Sequence, residues 1–153
     1  MKRLEVRRQV SAPPERVFAR AADFANSANT ISAITKMEML TDGPVGVGTR
    51  FRETRLMFGK QATEEMTVVA FEPPRRYLLH AQSHGSDYRS ELRFDPNKNG
   101  TEVVMTFEAT PMTLMAKVMS IVFRPMMRSM GKMILKDLDD LKASVEGQSP
   151  ASG

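Results

Sequence analysis

A chain of 153 residues with 41 % hydrophobic and 26 % charged residues has the size and balance of one folded unit. The absence of Cys excludes disulfides, thiolate metal or haem ligation and a cysteine nucleophile; two histidines, His80 and His84, are too few for a His-rich centre, so neither a metal nor a cofactor is expected. The net charge of +4 comes from scattered rather than clustered basic residues, which argues against nucleic acid as a partner.

The first ten residues, MKRLEVRRQV, lack the apolar run of a secretory signal. Together with the missing cysteines this sets the expectation of a cytoplasmic protein. Arg3 to Val10 alternates, with Leu4, Val6 and Val10 on one face, and reads as a strand whose inner face Arg8 interrupts. Pro13-Pro14 suits the first turn of a helix, where a missing N–H costs nothing. That helix carries Val17, Phe18, Ala21, Ala22 and Phe24. Asn26, Ser27, Asn29 and Thr30 favour caps and turns, so a break near Ala25 and a second short helix are expected.

From Ile34 the period changes to two. Strands are expected at Ile34–Leu40, Thr49–Met57, Ala62–Phe71, Arg76–Gln82, Tyr88–Phe94 and Thr101–Ala109. Turn signals separate them: Asp42-Gly43-Pro44, Phe58-Gly59-Lys60, Glu72-Pro73-Pro74, Ser83 to Ser86, and Asp95 to Gly100. Short connections make this an antiparallel meander, apolar on one face and charged on the other, and the apolar face needs a cover. The cover is the last segment. Met112, Met115, Met119, Val122, Met126, Met130, Ile134, Leu138, Leu141 and Val145 recur at steps of three and four, one stripe of a helix about 50 Å long. Lys117, Arg124, Arg128, Lys132 and Lys136 fall mostly on its other side, and Pro125 is expected to kink or split it. Residues 1–146 read as one ligand-binding domain and 147–153 as a disordered tail.

Four stretches in this order resemble the polyketide cyclase/dehydrase and lipid-transport superfamily, related to START domains and the birch-pollen-allergen fold. They are SAPPERVFARAADF (Ser11–Phe24), GPVGVGTRFRE (Gly43–Glu53), VVAFEPPRRYLL (Val68–Leu79) and GTEVVMTFE (Gly100–Glu108), and KDLDDLKASVE (Lys136–Glu146) matches the usual helix ending. The resemblance implies the α+β helix-grip fold: a curved antiparallel sheet of about six to seven strands around a long C-terminal helix, with two short helices after the first strand. In this family the loop carrying Gly43, Gly46 and Gly48 looks like a gate over the pocket. Its spacing is not that of a phosphate loop, and a strand follows it instead of a helix.

If Phe51 faces the interior, alternation brings Glu53 and Arg55 to the same face, where they should pair; near an open rim both would instead reach water. Tyr77 aligns with Leu79 and Ala81, and Tyr88 with Ser90 and Leu92. Their hydroxyls can orient a ligand, or serve a core that finds them partners. His80 is expected on the outer face and His84 in a solvated turn.

The clearest functional sign is methionine, 13 in all, with seven between Met112 and Met133. Flexible and polarizable, it suits surfaces that adapt to varied apolar guests; packed solid, it is simply core. With Phe51, Tyr88, Met105 and Phe107 opposite Met115, Met119, Phe123, Met126 and Met130, a cavity of a few hundred Å³ is expected. The expected partner is a hydrophobic small molecule (lipid, isoprenoid or aromatic polyketide) held by a carrier or sensor, as monomer or homodimer. The alternative is an aromatase/cyclase using Glu53, Arg55 and Tyr88, although no Ser-His-Asp or His-Glu constellation is visible. The apolar stretch Met112 to Phe123 would either lie under the glycine loop or touch a membrane transiently.

Overall fold

The structure, a computed structural model, describes residues 2–83, 85–122 and 126–147. Seven strands form one antiparallel sheet in the order β1-β7-β6-β5-β4-β3-β2. They are β1 Lys2–Val10, β2 Ile34–Met39, β3 Arg50–Met57, β4 Lys60–Glu72, β5 Arg76–Ser83, β6 Ser86–Asn97 and β7 Gly100–Pro111. Helix α1 (Pro14–Ala21), a 3-10 turn (Phe24–Asn26) and α2 (Ser27–Thr30) connect β1 to β2. Helices α3 (Leu114–Val122) and α4 (Met126–Glu146) follow the sheet.

Sequence patterning accounts for most of this. The two-residue turn Phe58-Gly59 has φ of 51° and 80°, the twist that joins adjacent strands most directly. Register shifts between Ile34 and Lys36 and between Val68 and Ala70 mark where β2 and β4 bend, which curves the sheet. The concave face is closed at one end by aromatics: Phe18 lies 5.2 Å from Phe94 and 5.3 Å from Phe71, and Phe24 stacks on Phe51 at 4.6 Å. Leu138, Leu141 and Val145 of α4 complete this core. Arg8, the odd residue on the inner face of β1, reaches Asp139 of α4 at 2.7 Å.

The close approach of β7 to the β1–α1 corner admits only glycine at position 100. Its φ is +124°, and an added Cβ would stand 2.3 Å from the Val10 carbonyl oxygen and 2.8 Å from the Ala12 nitrogen. Beside it the buried Thr101 hydroxyl donates to the Ala12 carbonyl at 2.7 Å. Gly100→Ala is therefore expected to cost at least ~2 kcal/mol in urea denaturation.

The inward course of the methionine stripe needs correction in its first half. The stripe is divided between α3 and α4; Pro125 lies outside the described residues, as do His84 and residues 148–153. Helix α3 is pinned where it starts: the Met112 N–H donates to the Gly85 carbonyl at 2.8 Å, and the Ala116 N–H donates to the Thr113 hydroxyl at 3.1 Å. Ala116 is then the buried one among the described side chains of this helix, and Met115 and Met119 turn outward, 77 % and 42 % exposed. The glycine loop does not cover α3 either. That loop enters β3 at Arg50, whereas α3 starts beside the β5–β6 turn, at the end of the sheet shared with Phe58-Gly59.

Candidate functional site

Alternation along β3 sends Phe51, Glu53 and Arg55 to the concave face, opposite Met66, Glu64 and Ala62 of β4. Helix α4 crosses this face and brings Asp137 to Arg55, 82 residues away in sequence. Arg55 Nη1 donates to Asp137 Oδ2 at 2.9 Å, while its Nε and Nη2 donate to the Glu53 carboxylate at 3.3 and 3.4 Å. All three side chains are largely buried, at 13 % (Arg55), 11 % (Glu53) and 14 % (Asp137) exposure.

Two carboxylates around one guanidinium leave the group with an excess negative charge in a poorly hydrated place. Burial pushes Asp137 up to about 6; Arg55 opposes this, and the charges of Glu53 and Asp140 add to it. Burial pulls the Arg55 pKa down, but Glu53 and Asp137 together outweigh it, so the guanidinium stays charged. Asp137 Oδ1 is buried with no hydrogen-bond partner among the described residues. An oxygen in that position is an acceptor in wait of a donor, and its carboxyl can exchange a proton near neutral pH.

This cluster lies between two hollows. The larger, about 330 Å³, is lined by Met57, Met105, Met130, Met133 and Ile134, by Tyr88 and Phe107, and by Glu64. Tyr88 and Phe107 stack there with ring centroids 5.8 Å apart. The smaller, about 130 Å³, is lined by Phe24, Ile31, Phe51, Tyr77, Leu92 and Leu141. Glu53, Arg55, Asp137, Met66, Leu79, Ser90 and Met105 border both. Burial raises the Tyr77 pKa, with the Glu53 charge adding, so its phenol stays protonated; the hydroxyl donates to the Ala21 carbonyl at 3.4 Å.

Of the residues singled out in the sequence, Phe51, Glu53, Arg55, Tyr77, Leu79, Tyr88, Ser90, Met105, Phe107 and Met130 border one hollow or both. Met115 and Met119 border neither, because Ala116 takes the buried face of α3. Phe123 and the side chain of Met126 lie outside the described residues. His80 borders the larger hollow, but its Nε2 is taken by Asp87 Oδ1 at 2.5 Å. Sequence reasoning missed Asp137, Glu64, Met57 and Met133. Asp137 had a usable signal: it stands seven residues after Met130 and four after Met133, on the same helical stripe. Among the described residues no group of three or more His, Asp or Glu is arranged to hold a metal.

The fold is widely shared. The crystal structure of TTHA0849 from Thermus thermophilus is similar at a TM-score of 0.80 and 20 % identity, over 97 % of this chain and 99 % of that one. The ZhuI aromatase/cyclase from Streptomyces sp. R1128 is similar at a TM-score of 0.77 and 17 % identity, over 99 % and 98 %. The di-domain aromatase/cyclase StfQ from the steffimycin biosynthetic pathway gives 0.78 at 12 % identity, over 95 % of this chain and 51 % of that one. At these identities the likeness concerns architecture. No curated protein matches the sequence. A family model does match, over residues 1–146, and the chain belongs to the polyketide cyclase/dehydrase and lipid transport family.

Proposed function

We propose that the domain is a carrier or sensor that takes up an apolar small molecule in the larger hollow and orients its polar end at Glu53, Arg55 and Asp137. The observation that carries this reading is the contrast within one cavity of about 330 Å³: methionine and aromatic walls over most of its surface and a buried ion cluster on one side. The volume is at the lower end for a small-molecule site, enough for a compact polycycle or a short chain. Methionine walls adapt to shape, so selectivity falls to the polar end.

Arg55 is already engaged by two carboxylates, so a third carboxylate on a ligand gains no partner and meets net negative charge. A hydroxyl or phenol, by contrast, supplies a hydrogen to the carboxylate oxygens. In displacement of bound Nile red, dodecanol is expected to compete at least tenfold better than dodecanoate at neutral pH, a difference of about 1.4 kcal/mol. Protein that neither takes up Nile red nor yields it to either compound would refute the carrier reading.

A second reading is favoured by Asp137 alone. A carboxyl held at about 6 beside an apolar hollow is suited to general acid–base work on an enolisable ketone, the reaction type of a cyclase or dehydrating lyase. The description of the matching family, polyketide cyclase/dehydrase and lipid transport, includes chemistry of this kind. Turnover of poly-β-keto substrates, falling at least about a hundredfold in Asp137→Asn, is the expected result for an enzyme. Equal rates in Asp137→Asn, Glu53→Gln and Tyr88→Phe would dismiss it.

A further inference from the structure

Helix α3 has a feature that ligand binding inside the cavity does not use. Leu114, Met115, Val118, Met119 and Ile121 are 80 %, 77 %, 52 %, 42 % and 63 % exposed, and Met112 just before them is 63 % exposed. At about 100° per residue the five helical positions cover an arc of about 160°, opposite the buried Ala116. This orientation is fixed by the Met112–Gly85 and Ala116–Thr113 hydrogen bonds rather than by loose attachment. The helix is about 14 Å long, and no described helix is long and apolar enough to cross a membrane. Left in water, such a face is a standing liability.

Charge says what would cover it. Between Glu108 and Asp137 the sequence contains no acidic residue, while Lys117, Arg124, Arg128, Lys132 and Lys136 all lie in that interval. Lys117 borders the apolar arc. Lys117, Arg128 and Lys132 are exposed and have no ion pair among the described residues, as is also true of the exposed Lys36, Lys60 and Lys98 elsewhere. The same end of the sheet carries the β3–β4 turn, whose tip presents Phe58, 49 % exposed, with Leu56 and Lys60 beside it. Phe58 sits there at φ +51°, a conformation that a bulky side chain adopts at a cost and that Asn or Gly would adopt freely. An exposed apolar helical arc bordered by a lysine, in a stretch of chain whose charged residues are all basic, is the pattern of a segment that lies in the interfacial plane of an anionic bilayer.

We propose that this end of the domain docks on an anionic lipid surface, with the apolar arc of α3 in the headgroup–acyl boundary and the basic side chains on the lipid phosphates. The larger hollow extends toward this end, where Met57 and Ala62 line it. Docking would thus set the guest's entrance next to the membrane, although the docking itself does not depend on what the cavity holds.

Flotation with phosphatidylcholine vesicles, and with vesicles of equal parts phosphatidylcholine and phosphatidylglycerol, tests it. Partition onto the anionic vesicles is expected to be tighter by on the order of tenfold or more, and to weaken as salt is raised. The variant Leu114→Ser/Val118→Ser/Ile121→Ser should lose this binding while keeping its circular dichroism spectrum. Should that variant not fold, Lys117→Glu/Lys132→Glu, altered only at exposed positions, is expected to lose it as well. Equal partition onto both vesicle types, or binding unchanged in the variants, would overturn the proposal. So would a concentration-dependent dimer broken by the serine variant without any vesicle binding, since a second copy would then cover α3.

Discussion

Arg55→Met is expected to lower the stability of the domain by about 3–5 kcal/mol, enough to drop the melting temperature by roughly 10 °C. The loss is far larger than the net worth of an ion pair, because the substitution strands two carboxylates. Glu53 and Asp137 would face each other at 11 % and 14 % exposure with no cation between them. Neighbouring charges offer little relief, since Glu64 stands directly across from Glu53 and Asp140 lies one turn from Asp137. Replacing the whole cluster is expected to behave differently. Glu53→Leu/Arg55→Met/Asp137→Leu removes all three charges of the cluster together, and a variant of this kind is often as stable as the parent or more so. Urea denaturation of both variants separates the two effects. If the triple variant regains wild-type stability, the cluster is not retained for folding, and its place beside the cavity becomes the reason for its presence. A loss below ~1 kcal/mol for Arg55→Met would mean that water reaches these carboxylates freely.

The second large effect is on pH dependence, and its direction is unusual for a carboxylate. Asp137 has its folded pKa raised from 3.8 to about 6. Between these values the native state holds a proton that the unfolded chain has released, so the stability contributed by this group falls as pH rises and is fully lost above about 6. The shift of roughly two units corresponds to about 3 kcal/mol at most. Asp87, Asp140 and Glu146 have lowered pKa values and act in the opposite sense, but their contribution is lost only at pH below the ordinary carboxylate range. The window from about pH 4.5 to 7 therefore reports mainly on Asp137. Relative to Asp137→Asn, the wild-type domain is expected to become more stable by roughly 1–1.5 kcal/mol on going from pH 7 to pH 5. Parallel curves for the two proteins would show that Asp137 titrates in the ordinary range.

How much of this was legible beforehand depends on the range of the interaction. Each strand carries its own alternation and each turn its own Gly, Asn or Pro, so the six-stranded meander from β2 to β7 and the pairing of Glu53 with Arg55 follow from neighbours in sequence, whereas the pairing of β1 with β7 joins the two ends of the sheet-forming segment. The aromatic end of the core was similarly marked by Phe18, Phe24 and Phe51. Asp137 was marked less strongly: its spacing from Met130 and Met133 puts it on the inward stripe, but KDLDDL presents three acidic residues on a helix, and the rotation of α4 on the sheet sets Asp137 inward while Asp139 meets Arg8. That rotation is fixed by contacts 80 or more residues distant. The methionine stripe failed for a related reason. A stripe read through Met112 to Val145 assumes one helical phase, whereas within α3 Ala116, and not Met115 or Met119, takes the buried position. The hydrogen bonds that orient α3 come from Gly85 and Thr113, neither of which belongs to the stripe. Periodicity therefore located the cavity wall contributed by Met130, and it misplaced the half that faces outward.

Methionine methyl groups offer the most direct test of where a guest resides. With carbon-13 methyl-labelled protein, titration of an uncharged apolar ligand such as dodecanol is expected to shift the resonances of Met57, Met66, Met105, Met130 and Met133, which line the hollows. Those of Met112, Met115 and Met119, which are exposed, should stay in place. Shifts confined to the exposed methionines, or none at saturating ligand, would contradict an internal site.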